Sequence, residues 1–117
     1  MAVRLLVVDD DSRFRESIAR ALSDRGYDVI EHAANAAEAR NGVSRMRPDA
    51  ILLDVNLPDG EGISLARELI SGDGSLRVLL TSSDSAAAPA RLVRQSGATG
   101  FIAKDELLAS DLSRYLG

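Results

Sequence analysis

LLVVDDDS, residues 5–12, joins four aliphatic side chains to three consecutive aspartates, Asp9, Asp10 and Asp11, and a serine. An aliphatic run of this kind, bounded by polar residues, reads as a strand covered on both faces. Three like charges delivered by such a strand to one spot repel, by up to about 4 kcal/mol for a pair 4 Å apart at an effective dielectric near 20. Either the acids stand in open water or something positive offsets the repulsion.

The same kind of run recurs along the chain. RLLVV (4–8), DVIEH (28–32), AILLD (50–54), RVLLT (77–81) and GFIA (100–103) predict five short strands. Helical patterns lie between them. Phe14, Ile18, Ala21 and Leu22 fall on one helical face. NAAE at 35–38 forms a capping box with Asn35 as cap, and Ala36, Ala39, Val43 and Met46 continue its stripe. Leu65, Ala66, Leu69 and Ile70 repeat the pattern over 61–71, and Leu108, Leu112 and Tyr115 predict a fifth helix over 106–116. Pro89 interrupts the segment 84–97, which predicts a short or late-starting fourth helix. Five strand–helix units in strict alternation imply an α/β fold, a parallel sheet with helices on both faces.

Composition bounds the function. The 117 residues predict one domain, 1–117, large enough for its own core. There is no cysteine, which excludes disulfides and thiolate metal sites and fits a cytoplasmic location. The net charge of −4 argues against direct nucleic-acid binding, since phosphate contacts need clustered Lys and Arg. No apolar run is long enough to cross a membrane.

In an open parallel sheet, functional groups collect at the carboxyl ends of the strands, where strand order reverses. The first predicted strand ends in Asp9–Asp10, the third in Asp54, the fourth in Thr81 and Ser82, and the fifth in Lys104. Acids, hydroxyl and amine would share one rim. Hard oxygen ligands suit Mg²⁺ or Ca²⁺, and a small site with few carboxylates and retained waters suits Mg²⁺ better. A cation held there, beside an ammonium and a hydroxyl, is suited to an incoming phosphoryl group. With no Ser-His-Asp set, P-loop or dinucleotide fingerprint in the sequence, the available nucleophile is a carboxylate, giving an acyl phosphate.

Over nearly its whole length the sequence resembles the receiver domains of two-component response regulators, in the segments VVDDDS, LLDVNLPDGEG, LLTSSD and GATGFIAKD. That resemblance implies a flavodoxin-like, doubly wound five-stranded sheet of order 2-1-3-4-5. It implies that Asp54 is the phosphoacceptor and that Asp9 and Asp10 bind Mg²⁺ together with Asp54 and the backbone carbonyl of Asn56. Thr81 then matches the switch hydroxyl, Lys104 the lysine that pairs with the phosphoryl group, and Phe101 the switch aromatic. Pro58 and Gly62 match the turn after the acceptor, while Asn56 and Ser83 match positions that tune the phosphate's lifetime. The function so implied is phosphoryl transfer from a sensor histidine kinase. It shifts the surface of the fourth helix, fifth strand and fifth helix to control an output such as transcription. The domain would catalyse only its own phosphorylation and dephosphorylation and is not an enzyme otherwise. Asp105 after Lys104 is common in regulators of the nitrate/LuxR type, which implies a C-terminal helix-turn-helix output outside this chain. A homodimer on phosphorylation is compatible with the pattern.

The sequence departs from the family at two further points. Ser82 stands where a small residue, often alanine, is usual, and the stretch from Thr81 to Gly97 is one residue longer, with Pro89 inside it. The extra residue keeps Ser82 beside Thr81 as an alternative switch hydroxyl. Plainer readings compete with several assignments. Asp11 or Ser12 caps the first helix, and three caps for one helix would be excessive, which leaves Asp9 and Asp10 for metal. DVNLPDGEG is not a calcium loop, because Asp59 sits where the loop needs glycine and Leu65 where its closing glutamate belongs. Phe101 divides evenly between core and switch. His32 is an ordinary polar residue, and Arg13, Arg15, Arg20 and Arg25 read as the wet face of the first helix, which in the family also docks the kinase. The alternatives are a degenerate receiver acting as a phosphorylation-independent interaction module, and a small flavodoxin-like cofactor module. Against the second, DDDS would repel a cofactor phosphate.

Overall fold

A computed structural model describes residues 2–117, so residue 1 of the expected 1–117 domain lies outside the described residues. The five expected strands are present as β1 (Arg4–Val8), β2 (Asp28–Ala33), β3 (Ala50–Asp54), β6 (Arg77–Ser82) and β7 (Gly100–Ala103). All four pairings are parallel, in the order β2-β1-β3-β6-β7. This is the expected 2-1-3-4-5 order once a small antiparallel hairpin, β4 (Asn56–Leu57) with β5 (Gly60–Glu61), is set aside.

Strand alternation sorts the core into two layers. Leu6, Val8, Ile51, Leu53, Val78 and Leu80 face one side, against α2 (Ala36–Met46), α3 (Gly62–Gly72) and α4 (Ala90–Ser96). Leu5, Val7, Leu52, Leu79 and Ile102 face the other, against α1 (Ser12–Asp24) and α5 (Ser113–Leu116). Burial of both faces explains why the inner strands are continuously aliphatic rather than alternating.

Helix starts follow local chemistry. Asp11 caps α1, accepting from Arg13 N at 3.1 Å and Phe14 N at 3.3 Å. Asn35 caps α2 by accepting from Glu38 N, and Glu38 reaches back to accept from Ala34 N, one residue before the cap. The fourth helix is short and starts directly after Pro89, as Pro89 predicts.

The expected fifth helix over 106–116 is corrected. Lys104–Ala109 is a 3-10 helix, the chain turns at Ser110, and only Ser113–Leu116 is α-helical. Asp111 Oδ1 accepts from Ser113 N and Oγ and so restarts the helix. The buried leucines are Leu107, Leu112 and Leu116, whereas Leu108 is 49% exposed. A five-residue step from Leu107 to Leu112 does not fit a helical stripe.

Candidate functional site

The chain crosses from β1 to β2 on one side and from β3 to β6 on the other, so strand order reverses between β1 and β3, the point where such sheets gather functional groups at the carboxyl ends of their strands. Asp9 and Asp54 stand at this point, with exposures of 1% and 5%. Each is locked by the backbone two residues on: Asp9 Oδ1 accepts from Asp11 N at 2.9 Å, and Asp54 Oδ1 from Asn56 N at 3.0 Å. These short loops aim the other oxygen of each carboxylate at the same place. There the Lys104 ammonium lies 2.7 Å from Asp9 Oδ2 and 3.2 Å from Asp54 Oδ2. The positive charge that the three aspartates call for is therefore Lys104, delivered from the end of β7.

One ammonium does not balance the site. Carboxylate oxygens of Asp9, Asp10 and Asp54 all lie within 4.8 Å of one another, with Asp10 on the exposed side. Three carboxylates against one ammonium leave two negative charges, and Asp9 Oδ2 is buried with no conventional hydrogen-bond donor among the described residues besides that ion pair. This donor set fits a hard divalent cation. Electrostatics agree. Burial, and then the facing Asp9, hold the Asp54 carboxyl above the ordinary carboxylate range, against the lowering effects of Asn56 N–H and Lys104. For Lys104 burial works downward, yet the hydrogen bond to Asp9 and the charges of Asp54 and Asp9 outweigh it and hold the amine above its usual value.

The two candidate hydroxyls are placed differently. Thr81 pairs with Asp54 in the strand register, but its Oγ1 donates to the Ile102 carbonyl at 2.7 Å. Ser82 Oγ accepts from Asn56 Nδ2 at 3.3 Å and from Asp84 N at 3.1 Å, which leaves its own hydrogen free to be donated. By alternation Ser82 is on the face of Leu80 and Phe101. Phe101 is half-buried against that layer and Asn56 is exposed.

Several residues act here without a local sequence signal. Asp59, in the hairpin after β3, accepts from Ala36 N at 2.7 Å and Ala37 N at 3.0 Å, clamping the Asn56 loop to the start of α2. Those two backbone N–H groups hold its carboxyl below the usual range. Arg15 is no wet-face arginine: half-buried, it donates from Nη1 to the Asp9 carbonyl at 2.6 Å. Arg13, Arg20 and Arg25 are exposed as expected, and Arg25 also donates to the Leu108 and Ser110 carbonyls. His32 is exposed and outside the acidic cluster. No helix among the described residues is long and apolar enough to cross a membrane.

Comparison with known proteins agrees with this architecture. The family model for the response regulator receiver domain matches residues 5–113. Response regulator MprA of Mycobacterium sp. (strain KMS) is 38% identical over 113 residues, which are 93% of this chain but only 49% of that relative. Among solved structures, a LuxR-family two-component response regulator from Aurantimonas sp. SI85-9A1 superposes with a TM-score of 0.86 at 32% identity, over 94% of this chain and 79% of that one. A response regulator from Burkholderia pseudomallei, solved with a phosphorylated aspartic acid, a calcium ion and citrate, gives a TM-score of 0.85 at 28% identity, over 98% and 66%. The rim of strand-end acids and lysine, the 2-1-3-4-5 sheet order and the match over residues 5–113 together make this chain a member of the response regulator receiver domain family of two-component signalling.

Proposed function

We propose that this receiver takes a phosphoryl group onto Asp54 from the phosphohistidine of a sensor kinase or from a small acyl phosphate. Asp54 Oδ2 attacks phosphorus as the bond to the donor's nitrogen or oxygen breaks, and the leaving group keeps that electron pair. The observation that carries this reading is the Lys104 ammonium bridging Asp9 and Asp54, with Asp10 close by. Asp9, Asp10, Asp54 and the Asn56 carbonyl would hold Mg²⁺, which when bound neutralises and orients the phosphoryl oxygens. Lys104 is already charged and in place, so it follows those oxygens with little reorganisation.

Within this reading the donating hydroxyl is Ser82 rather than Thr81. The Ser82 hydrogen is free and its oxygen is tied to the acceptor loop through Asn56, whereas Thr81 is committed to Ile102. Drawing Ser82 toward the phosphoryl group opens space on the Phe101 face, and the aromatic moves inward as part of a two-state shift. The shifted surface comprises α4, β7 and the segment after Lys104. In a longer protein of the kind this chain matches, a DNA-binding output domain would read it, either directly or through a dimer.

Titration with beryllofluoride and Mg²⁺, followed by amide NMR, tests the reading. Shifts are expected at Asp54, Ser82, Phe101 and Lys104, lost in Asp54→Ala, weakened in Ser82→Ala and kept in Thr81→Val. A response in Asp54→Ala equal to the parent's would overturn the acceptor assignment, and one lost in Thr81→Val but not in Ser82→Ala would return the switch to Thr81.

A further inference from the structure

We propose that Phe14 is a positioning residue for Lys104, and that the negative face of its ring, not merely its bulk, holds the ammonium ready for the phosphoryl group. The proposal rests on Asp54 being the acceptor. Lys104 Nζ lies 4.3 Å from the centroid of the Phe14 ring. On its other sides stand Asp9 Oδ2 at 2.7 Å and Asp54 Oδ2 at 3.2 Å. An ammonium has three hydrogens to direct, and at this site two carboxylates and a π face share them.

The ring is fixed by the same loop that carries the acids. Phe14 is in the first turn of α1, and its own N–H donates to the capping carboxylate of Asp11 at 3.3 Å. The side chain is half-buried, so it covers Lys104 from a defined direction. The whole chain has only two phenylalanines, one over the lysine and one, Phe101, on the opposite face of β7. An aliphatic residue at 14 would fill the space but would offer the cation no quadrupole, and water would take that side of the ammonium instead. Partly buried and held on three sides, Lys104 stays where charge develops when the Asp54 oxygen bonds to phosphorus.

The test uses the full chain with 4-fluoro-, 3,5-difluoro- or 3,4,5-trifluorophenylalanine at position 14, beside Phe14→Leu and Phe14→Tyr. Fluorination drains the ring face with little change of size. The rate of phosphoryl-adduct formation from acetyl phosphate at saturating Mg²⁺ is read by intact mass, and Tm is measured in parallel. The expected result is a stepwise fall in rate along the fluorine series, about three- to tenfold in total, at nearly constant Tm. Phe14→Leu should be slow and Phe14→Tyr close to the parent. A flat rate across the series overturns the proposal, since a purely space-filling role would be blind to fluorine. A second readout does not depend on phosphorylation. The Lys104 ε-methylene protons should resonate upfield in the parent, under the ring, and return to ordinary values in Phe14→Leu. If no protein in the series forms an adduct, the acceptor reading fails and this shift alone decides the contact. Unshifted ε-protons in the parent overturn it.

Discussion

Gly62→Ala probes how closely α3 is seated on the end of β3. A Cβ at this position would fall 2.3 Å from the Asp54 carbonyl oxygen and 2.7 Å from Val55 Cα. Both are backbone atoms at the end of β3, and Gly62 N already donates to the Val55 carbonyl at 2.6 Å. Neither neighbour can swing aside as a side chain would. A carbon–oxygen contact needs about 3.3 Å, so the first turn of α3 must retreat by about 1 Å. That retreat would loosen the hairpin and lift Leu65 and Ala66, which are buried under it. Overpacking of this kind costs about 1–3 kcal/mol. At about 4 °C per kcal/mol for a domain of this size, the Tm should drop by roughly 4–12 °C. Gly72, in the last turn of the same helix, is a contrasting site: a Cβ there would meet nothing within 4 Å among the described residues, so Gly72→Ala should gain about 0.5–1 kcal/mol. Thermal and urea unfolding of the two variants provide the comparison. A Gly62→Ala protein melting within about 1 °C of the parent would refute the close approach of helix and strand.

Three other outcomes follow from the site. Asp54→Asn should raise stability at neutral pH: burial holds this carboxyl above its unfolded value, so the ionised group opposes folding increasingly as pH rises through the folded value. The gain should vanish at acid pH, where Asp54 is protonated in both states, and melting curves across pH check the sign. Lys104→Met should cost about 2–4 kcal/mol in urea unfolding, because Asp9 and Asp54 are left buried without their cation, and adding Asp54→Asn should recover part of the loss. Asp59→Asn should lower Tm at neutral pH but not in acid, since a carboxyl held below its usual range stabilises only above its unfolded value and stops doing so as pH falls through the folded one. The same variant should raise the Mg²⁺ concentration needed for half-maximal adduct formation, by loosening the Asn56 loop.

The sheet was legible because burial on both faces forces continuous aliphatic runs, and LLVV, AILL and VLL are such runs. Asp9, Asp54 and Lys104 were legible because each directly follows or ends one of these strands, and the parallel topology brings strand ends together. Other features depend on contacts distant in sequence. Asp59 is an exposed acid in a turn until α2 docks on it, and the two-residue strands beside it are too short to show a period. Leu107 and Leu108 are chemically identical neighbours, and only the 3-10 geometry after Lys104 turns the first inward and the second out. Thr81 and Ser82 differ in the same way: strand alternation, not residue type, decides which hydroxyl meets Asn56 and which meets Ile102. Arg15 reaches back over one helical turn to the Asp9 carbonyl, a contact that a wet-face periodicity conceals.

The most direct measurement is intact mass after incubation with acetyl phosphate, with and without Mg²⁺, for the parent and for Asp54→Asn. The arrangement of Asp9, Asp10 and Lys104 around Asp54 predicts a single phosphoryl adduct that requires Mg²⁺ and is absent from the variant. A folded parent that takes no phosphoryl group from acetyl phosphate or from a histidine kinase, or an adduct that persists in Asp54→Asn, would contradict it.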